Sequence, residues 1–215
     1  MKLHLGCGQV HLDGYVNIDY PLSEHTVQRT SVADKFADIT KLRYKAETIE
    51  EVRLHHVFEH FPRAQALALI FSWASWLKRG GKVTIEVPDF DAMAKIILSP
   101  FSSHEGKMLA LRHAFGSQEA SWAVHYNGWS KTRLLEVTEL AGLAGHVTTP
   151  KAYMSLYNVL LVADKVKTIS RIEARRRAKK YLSQYLVDGS ATEKNMLDEW
   201  LRQFDAQVKE SWARQ

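Results

Sequence analysis

Histidine and carboxylate side chains gather in one short run of this chain, His55-His56-Val57-Phe58-Glu59-His60, with Asp89 and His125 further along. Histidine takes up and releases a proton near neutral pH, and a carboxylate beside it steadies the charged ring, so such a run suits deprotonation of a hydroxyl group. A second run suits binding. Lys2 to Leu5 alternates like a short strand, Gly6 and Gly8 bracket a tight turn around Cys7, and Tyr15 to Ile18 reads as another strand ending in Asp19. A glycine turn off a strand lets the backbone approach a ligand where a Cβ would clash. An acid at the tip of the next strand accepts hydrogen bonds from both hydroxyls of a ribose, so the pair reads as a nucleoside site.

The turn lacks the third glycine of G-x-G-x-x-G, and no Gly-Lys-Ser/Thr follows, which excludes dinucleotide and nucleotide-phosphate sites. Leu3-His-Leu-Gly-Cys-Gly8 followed by Gly14-Tyr-Val-Asn-Ile-Asp19 resembles the S-adenosylmethionine (SAM) motif of class I methyltransferases. His56-Val-Phe-Glu-His-Phe61 is similar to the segment after the fourth strand in small methyltransferases often associated with glycan and secondary metabolism. The resemblance spans about Leu3 to Asp164 and implies an α/β, Rossmann-like sheet that binds SAM. It implies SAM contacts from Gly6, Cys7, Gly8 and Asp19 and from His55 at the sheet edge. Asp38 and Ile39 would lie beside the adenine, Asp38 accepting from its amine and Ile39 packing on its ring. The implied reaction is O-methylation of a small polar acceptor, such as a sugar or glycan intermediate.

Methyl transfer from a sulfonium requires alignment rather than a protein nucleophile, so a general base is the residue to seek. His56, His60 and His125 are the candidates, with Glu59 and Asp89 behind them. His125 has the best placement, because Ser99 to Trp129 is an irregular stretch rich in polar-tipped aromatics (Trp122, Tyr126, Trp129) and reads as a substrate lid. No metal is expected, since Glu59, His60 and Asp89 do not share ligand spacing on one helix. A single cysteine excludes an internal disulfide, and Cys7 also reads as a small residue filling the turn apex.

Glu51 to His55 and Lys82 to Val87 read as strands flanking a helix that starts at Pro62, and Asp91 reads as the cap of the next helix. After a helix through Leu134 and Leu140, His146 to Thr149 and Asn158 to Ala163 resemble the closing antiparallel pair of the methyltransferase sheet. Only six residues separate Gly8 from Tyr15, too few for a crossover helix, so one sheet face needs other cover.

The chain thus divides into a methyltransferase domain, 1–164, and a C-terminal helical hairpin, 165–215. Lys165 to Tyr181 forms a basic amphipathic helix, Ser190 to Glu193 a capping box, and Leu197, Trp200, Leu201, Phe204, Val208 and Trp212 an apolar stripe. That stripe must be buried, on the chain's own sheet in place of the missing crossover helix or on a second copy, which makes a homodimer the expectation. The net charge of +5 is concentrated in the hairpin, so nucleic acid is not the expected partner. The strand beginning at Lys2 leaves no room for a signal peptide and no apolar run is long enough to span a membrane, which implies a cytoplasmic protein. Two alternatives stand beside the enzyme: a non-catalytic binding or scaffolding module with this fold, and an RNA methyltransferase using the basic tail.

Overall fold

The computed structural model describes residues 1–150 and 157–212, with side chains to Glu210; the Trp212 side chain of the expected apolar stripe lies outside that set. Seven strands form one sheet in the order β3-β2-β1-β4-β5-β7-β6. They are β1 (Lys2–Leu5), β2 (Tyr15–Asp19), β3 (Lys35–Phe36), β4 (Ile49–His55), β5 (Leu77–Pro88), β6 (Leu143–Thr148) and β7 (Asn158–Lys165). Strands β1 to β5 pair in parallel, and β7 runs antiparallel to both β5 and β6.

The parallel strands alternate apolar and polar residues, unlike the continuous apolar runs of a sheet covered on both sides. Leu3, Val16, Val52 and Val83 lie in register, as do Leu5, Ile18, Leu54 and Ile85, and all are fully or partly buried in one core. The residues between them, His4, Asn17, Arg53 and Thr84, share the opposite face, as do Lys2, Tyr15, Glu51 and Lys82. The cause is topological. Among the described residues, no α-helix connects β1 to β2, β2 to β3, or β3 to β4.

Helices α1 (Arg63–Trp76), α4 (Lys131–Leu140), α5 (Arg171–Leu182) and α6 (Ala191–Trp212) belong to the single apolar layer. Helix α1 is buried almost all round, Phe71 and Trp73 included, because the sheet lies on one side and α6 on the other. Phe204 of α6 meets Phe71 edge-on at 5.7 Å, and Leu201, Phe204 and Val208 are at most 2% exposed. Each side chain so buried contributes about 1.5–3 kcal/mol. Arg63 stacks over the Tyr185 and Trp200 rings, and Arg177 donates to the carbonyl of Leu140.

The hairpin therefore docks on its own chain. The stripe expected to need a second copy is already covered, which removes the argument for a homodimer through it. Its position also differs from expectation. Helix α6 packs along α1 and the turn Ile39–Lys41. With right-handed crossovers, that is the face where a β3-to-β4 helix would lie, opposite the face of a β1-to-β2 helix. The tail replaces a different missing helix, and among the described residues no helical layer covers the polar face.

Three local expectations shift. Lys165 ends β7 instead of opening the basic helix: it is 3% exposed and its Nζ donates to the carbonyl of Leu77 at 2.7 Å. Helix α2 (Phe90–Leu98) is capped by Asp89, whose carboxylate accepts from the Asp91 and Ala92 amides, so Asp91 lies inside the first turn. Strand β5 begins at Leu77, with Gly80 in the left-handed region within an irregular start.

Candidate active site

Gly6 and Gly8 both have positive φ, +67° and +55°, so β1 ends in a turn that favours glycine at two positions. The Gly6 and Cys7 amides donate to the carbonyl of Ile18, at 2.8 and 3.1 Å. Asp19 Oδ2 accepts from the Gly8 amide and Oδ1 from the Tyr20 amide, each at 2.8 Å. A carboxylate offers about four acceptor sites, which leaves two for a ligand. A Cβ on Gly8 would have no atom within 4 Å, so the turn faces open space there, whereas one on Gly6 would strike Val57 Cγ2 at 2.3 Å.

Asn17 pins the short loop between β1 and β2. Fully buried, it accepts from the Leu12 amide, donates to the Leu12 carbonyl and Asp34, and pairs with His4 Nδ1 at 3.0 Å. Such bonds do the work of a crossover helix in fixing β2 beside β1. A residue not tied to the nucleoside site in sequence, His25, stands over Asp19, with Trp122 packed against it. His25 Nε2 is 4.0 Å from Asp19 Oδ1, and the Trp122 ring meets the His25 ring at 5.3 Å while its indole donates to the carbonyl of Glu24. Nothing in the spacing of 25, 19 and 122 signals this approach.

The other predicted ligand positions lie in the turn (Cys7), at the end of β4 (His55) and in the turn after β3 (Asp38, Ile39). Asp38 caps the turn Ile39–Lys41 through the Thr40 amide and hydroxyl, and Ile39 is 8% exposed within the core shared with α6. Cys7 is buried, which pushes its thiol up to about 11. His55 Nε2 pairs with the buried Glu86 at 2.7 Å.

Beyond β4 the chain places His56, itself at positive φ, then a single turn Phe58–His60. Glu59 is 1% exposed, with His56 Nδ1 at 3.4 Å and His125 Nε2 at 3.9 Å. The His60 and His125 rings meet edge-on at 4.7 Å. Burial pushes the Glu59 carboxyl up, but His56, His60 and His125 outweigh it and hold the group below its ordinary value. The His56 contact, the largest of these, is long at 3.4 Å and completes no hydrogen bond on either Glu59 oxygen. Asn158 Nδ2 donates to Glu86 Oε1 and stands 3.2 Å from His56 Nε2, which leaves the hydrogen of a neutral His56 on Nδ1, toward Glu59. Burial lowers the His125 pKa, and its Nδ1 lies 2.8 Å from the carbonyl of His113.

His125 comes from the insert of 99–129, which holds α3 (His104–Phe115) and returns along the segment after β4. The Tyr126 and Asn127 amides donate to the Glu59 carbonyl, and Asn127 Nδ2 to that of Phe61. Trp129, expected in the lid, is instead a core residue stacked on Phe58 at 4.6 Å. Asp89 caps α2 and does not join Glu59 and His60; His125 does. His56, His113, His125, Arg112 and Ser117 line a groove of about 260 Å³. A larger concavity of about 520 Å³ lies by Glu47, Lys165 and Arg171, near the start of β4, remote from these groups.

No family model and no curated protein matches the chain. Solved structures do. A chain of the complex between the Haloferax volcanii Trm112 methyltransferase activator and a methyltransferase superposes with a TM-score of 0.51 at 15% identity, covering 79% of this chain and 83% of that one. This chain has the fold of the class I SAM-dependent methyltransferases. A SAM-dependent methyltransferase from Mesorhizobium loti superposes with a TM-score of 0.48 at 15% identity, over 76% of this chain and 90% of that one. One from Methanosarcina mazei gives 0.49 at 11% identity, over 76% and 91%. Within this methyltransferase fold, the glycine turn lies at the end of β1, Asp19 ends β2, and the histidine segment follows β4. None of the described helices is long and apolar enough to cross a membrane.

Proposed function

We propose that this chain is a cytoplasmic methyltransferase that binds SAM over the Gly6–Gly8 turn and methylates a hydroxyl of a small polar acceptor, a sugar or glycan intermediate. The observation that carries this reading is the contact between the two halves of the site: Gly6 packs so closely on Val57 that the nucleoside turn and the histidine segment share one wall. The residues fit the cofactor. Open space above Gly8 admits it, Asp19 keeps acceptor capacity for the ribose hydroxyls, and His25 Nε2 stands buried and unbonded beside that carboxylate.

SAM supplies an already activated methyl group, whose in-line transfer to an acceptor oxygen leaves a thioether. The remaining tasks belong to the chain. The glycine backbone and Asp19 orient the donor, and the return segment of the insert keeps water from the groove. The His125 Nε2 lone pair takes the hydroxyl hydrogen, and Glu59 steadies the charged ring that results. Arg112, His113 and Ser117 offer hydrogen bonds to a hydroxylated acceptor. The RNA reading has less support, because Arg175 pairs with Asp205, and Arg176 and Arg177 pair with Glu173.

Labelled SAM incubated with sugars, nucleotide-sugars and small metabolites tests the proposal. Transfer to a hydroxyl of the sugar class is expected, falling by roughly 10²–10⁴-fold in His125→Ala. Transfer confined to RNA, or SAM binding with no transfer to any acceptor, contradicts it.

A further inference from the structure

Both carboxylate oxygens of Glu59 are buried and accept no hydrogen bond. His56 Nδ1 turns its hydrogen toward Oε1 from 3.4 Å, and the other two rings facing the carboxylate are poorly suited to supply a bond. His60 Nδ1 lies 3.1 Å from the carbonyl of Val124 and His125 Nδ1 lies 2.8 Å from that of His113. A carbonyl only accepts, so each Nδ1 carries the hydrogen and each neutral ring is left with a lone pair on Nε2. One ligand atom from each of Glu59, His60 and His125 lies within 4.8 Å of the others. While both rings are neutral, their lone pairs and the buried carboxylate repel one another; a cation, whether a proton on a ring or a metal ion among the three, reverses the sign.

We infer that Glu59, His60 and His125 form a binding site for a divalent transition-metal ion of the zinc class. Two imidazole nitrogens and one carboxylate leave a fourth position open, and His125 carries that position to the groove. Magnesium and calcium favour all-oxygen sites, so the donor set selects the softer ions. A carbonyl holding the far nitrogen of each ring fixes the tautomer and orientation that a metal-bound histidine needs. Ligand atoms about 2.0–2.1 Å from a tetrahedral zinc stand about 3.4 Å apart, a spacing small side-chain rotations reach from the distances here. The backbone bonds from Tyr126 and Asn127 to Glu59 tie the two ligand-bearing segments together.

His55, His56 and Glu86 form a second close group, but Glu86 is already bonded by His55 and Asn158, and His56 Nε2 by Asn158. Its donors are spent. The site of Glu59 stands on geometry alone; only its use rests on the methyl-transfer reading. There the ion would hold the acceptor hydroxyl at its open position and lower its pKa; with His125 Nε2 on the ion, the hydroxyl proton would pass to the Nε2 lone pair of His113 in the same groove, whose Nδ1 faces the carbonyl of Leu109.

Titration of the full chain with Co²⁺, followed by its visible absorption and by displacement with Zn²⁺, tests the site without SAM or acceptor. One ion per chain is expected. Affinity should fall by more than about 100-fold in His125→Ala and in Glu59→Gln, beyond the 10–100-fold that loss of an outer partner costs, and survive in His55→Ala. Circular dichroism confirms that each variant is folded, and His60→Ala replaces any that is not. No stoichiometric binding by the folded parent, or binding lost in His55→Ala and kept in His125→Ala, overturns the inference. Absent SAM binding beside intact metal binding contradicts only the methyl-transfer reading.

Discussion

Asn17 and Glu59 are both buried polar residues at the working edge of one sheet, yet their surroundings are opposite. Asn17 has its oxygen and its amide hydrogens engaged by His4, Leu12 and Asp34. Glu59 has neither oxygen hydrogen-bonded, although three histidines stand around it. A satisfied buried polar group fixes the backbone, and here it holds a loop too short for a helix. An unsatisfied one is a cost to the fold, which marks a place where a ligand, a proton or an ion completes the structure.

The comparison breaks most visibly in stability. Asn17→Ala leaves the Leu12 amide and carbonyl without their partner and should cost about 2–4 kcal/mol, read by denaturant unfolding. Glu59→Gln should cost about 1–2 kcal/mol in the metal-free protein, since it loses the charge that the three histidines stabilise but no hydrogen bond, while abolishing methyl transfer. Equal losses of stability would erase the distinction. The glycine turn gives a smaller contrast. Gly6→Ala combines left-handed backbone with overlap on Val57, worth about 2–5 kcal/mol, whereas Gly8→Ala carries only the backbone cost of about 1–2 kcal/mol. The smallest effect concerns Cys7. With its thiol pushed up to about 11, the reactive thiolate is about a thousandth of the population at pH 8. Alkylation of the folded protein should be slow there and accelerate as pH rises toward 11; fast modification at pH 7 would show an open turn.

Much of the frame was legible because local pattern and topology agree in it. The glycines of the turn, the acid ending β2 and the antiparallel closing pair each carry a signal a few residues long. The half-open sheet was not foreseen: the short first crossover pointed to a face in need of cover, whereas the alternation of Lys2 to Leu5 and Tyr15 to Asp19 leaves that face polar. What the tail covers depends on crossover handedness between β3 and β4, a property of the whole sheet. The Glu59 site was half visible. Glu59 and His60 are adjacent, but their companion arrives from residue 125 through amide bonds to a backbone carbonyl, and Asp89, closer in sequence, is diverted to capping a helix. His25 over Asp19 left no trace in spacing at all.

The central claim is that the turn after β1 and the acid ending β2 hold SAM. Calorimetric titration of SAM into the parent and into Asp19→Asn tests it most directly. Asparagine can keep an acceptor for the Gly8 amide, so the turn should persist while the charge that strengthens bonds to ribose hydroxyls is lost. The account predicts one site per chain in the parent and affinity at least about 10-fold weaker in a folded Asp19→Asn, from about 1.5–3 kcal/mol per charge-assisted bond. A parent that binds no SAM, or a variant that binds it equally well, would contradict the account.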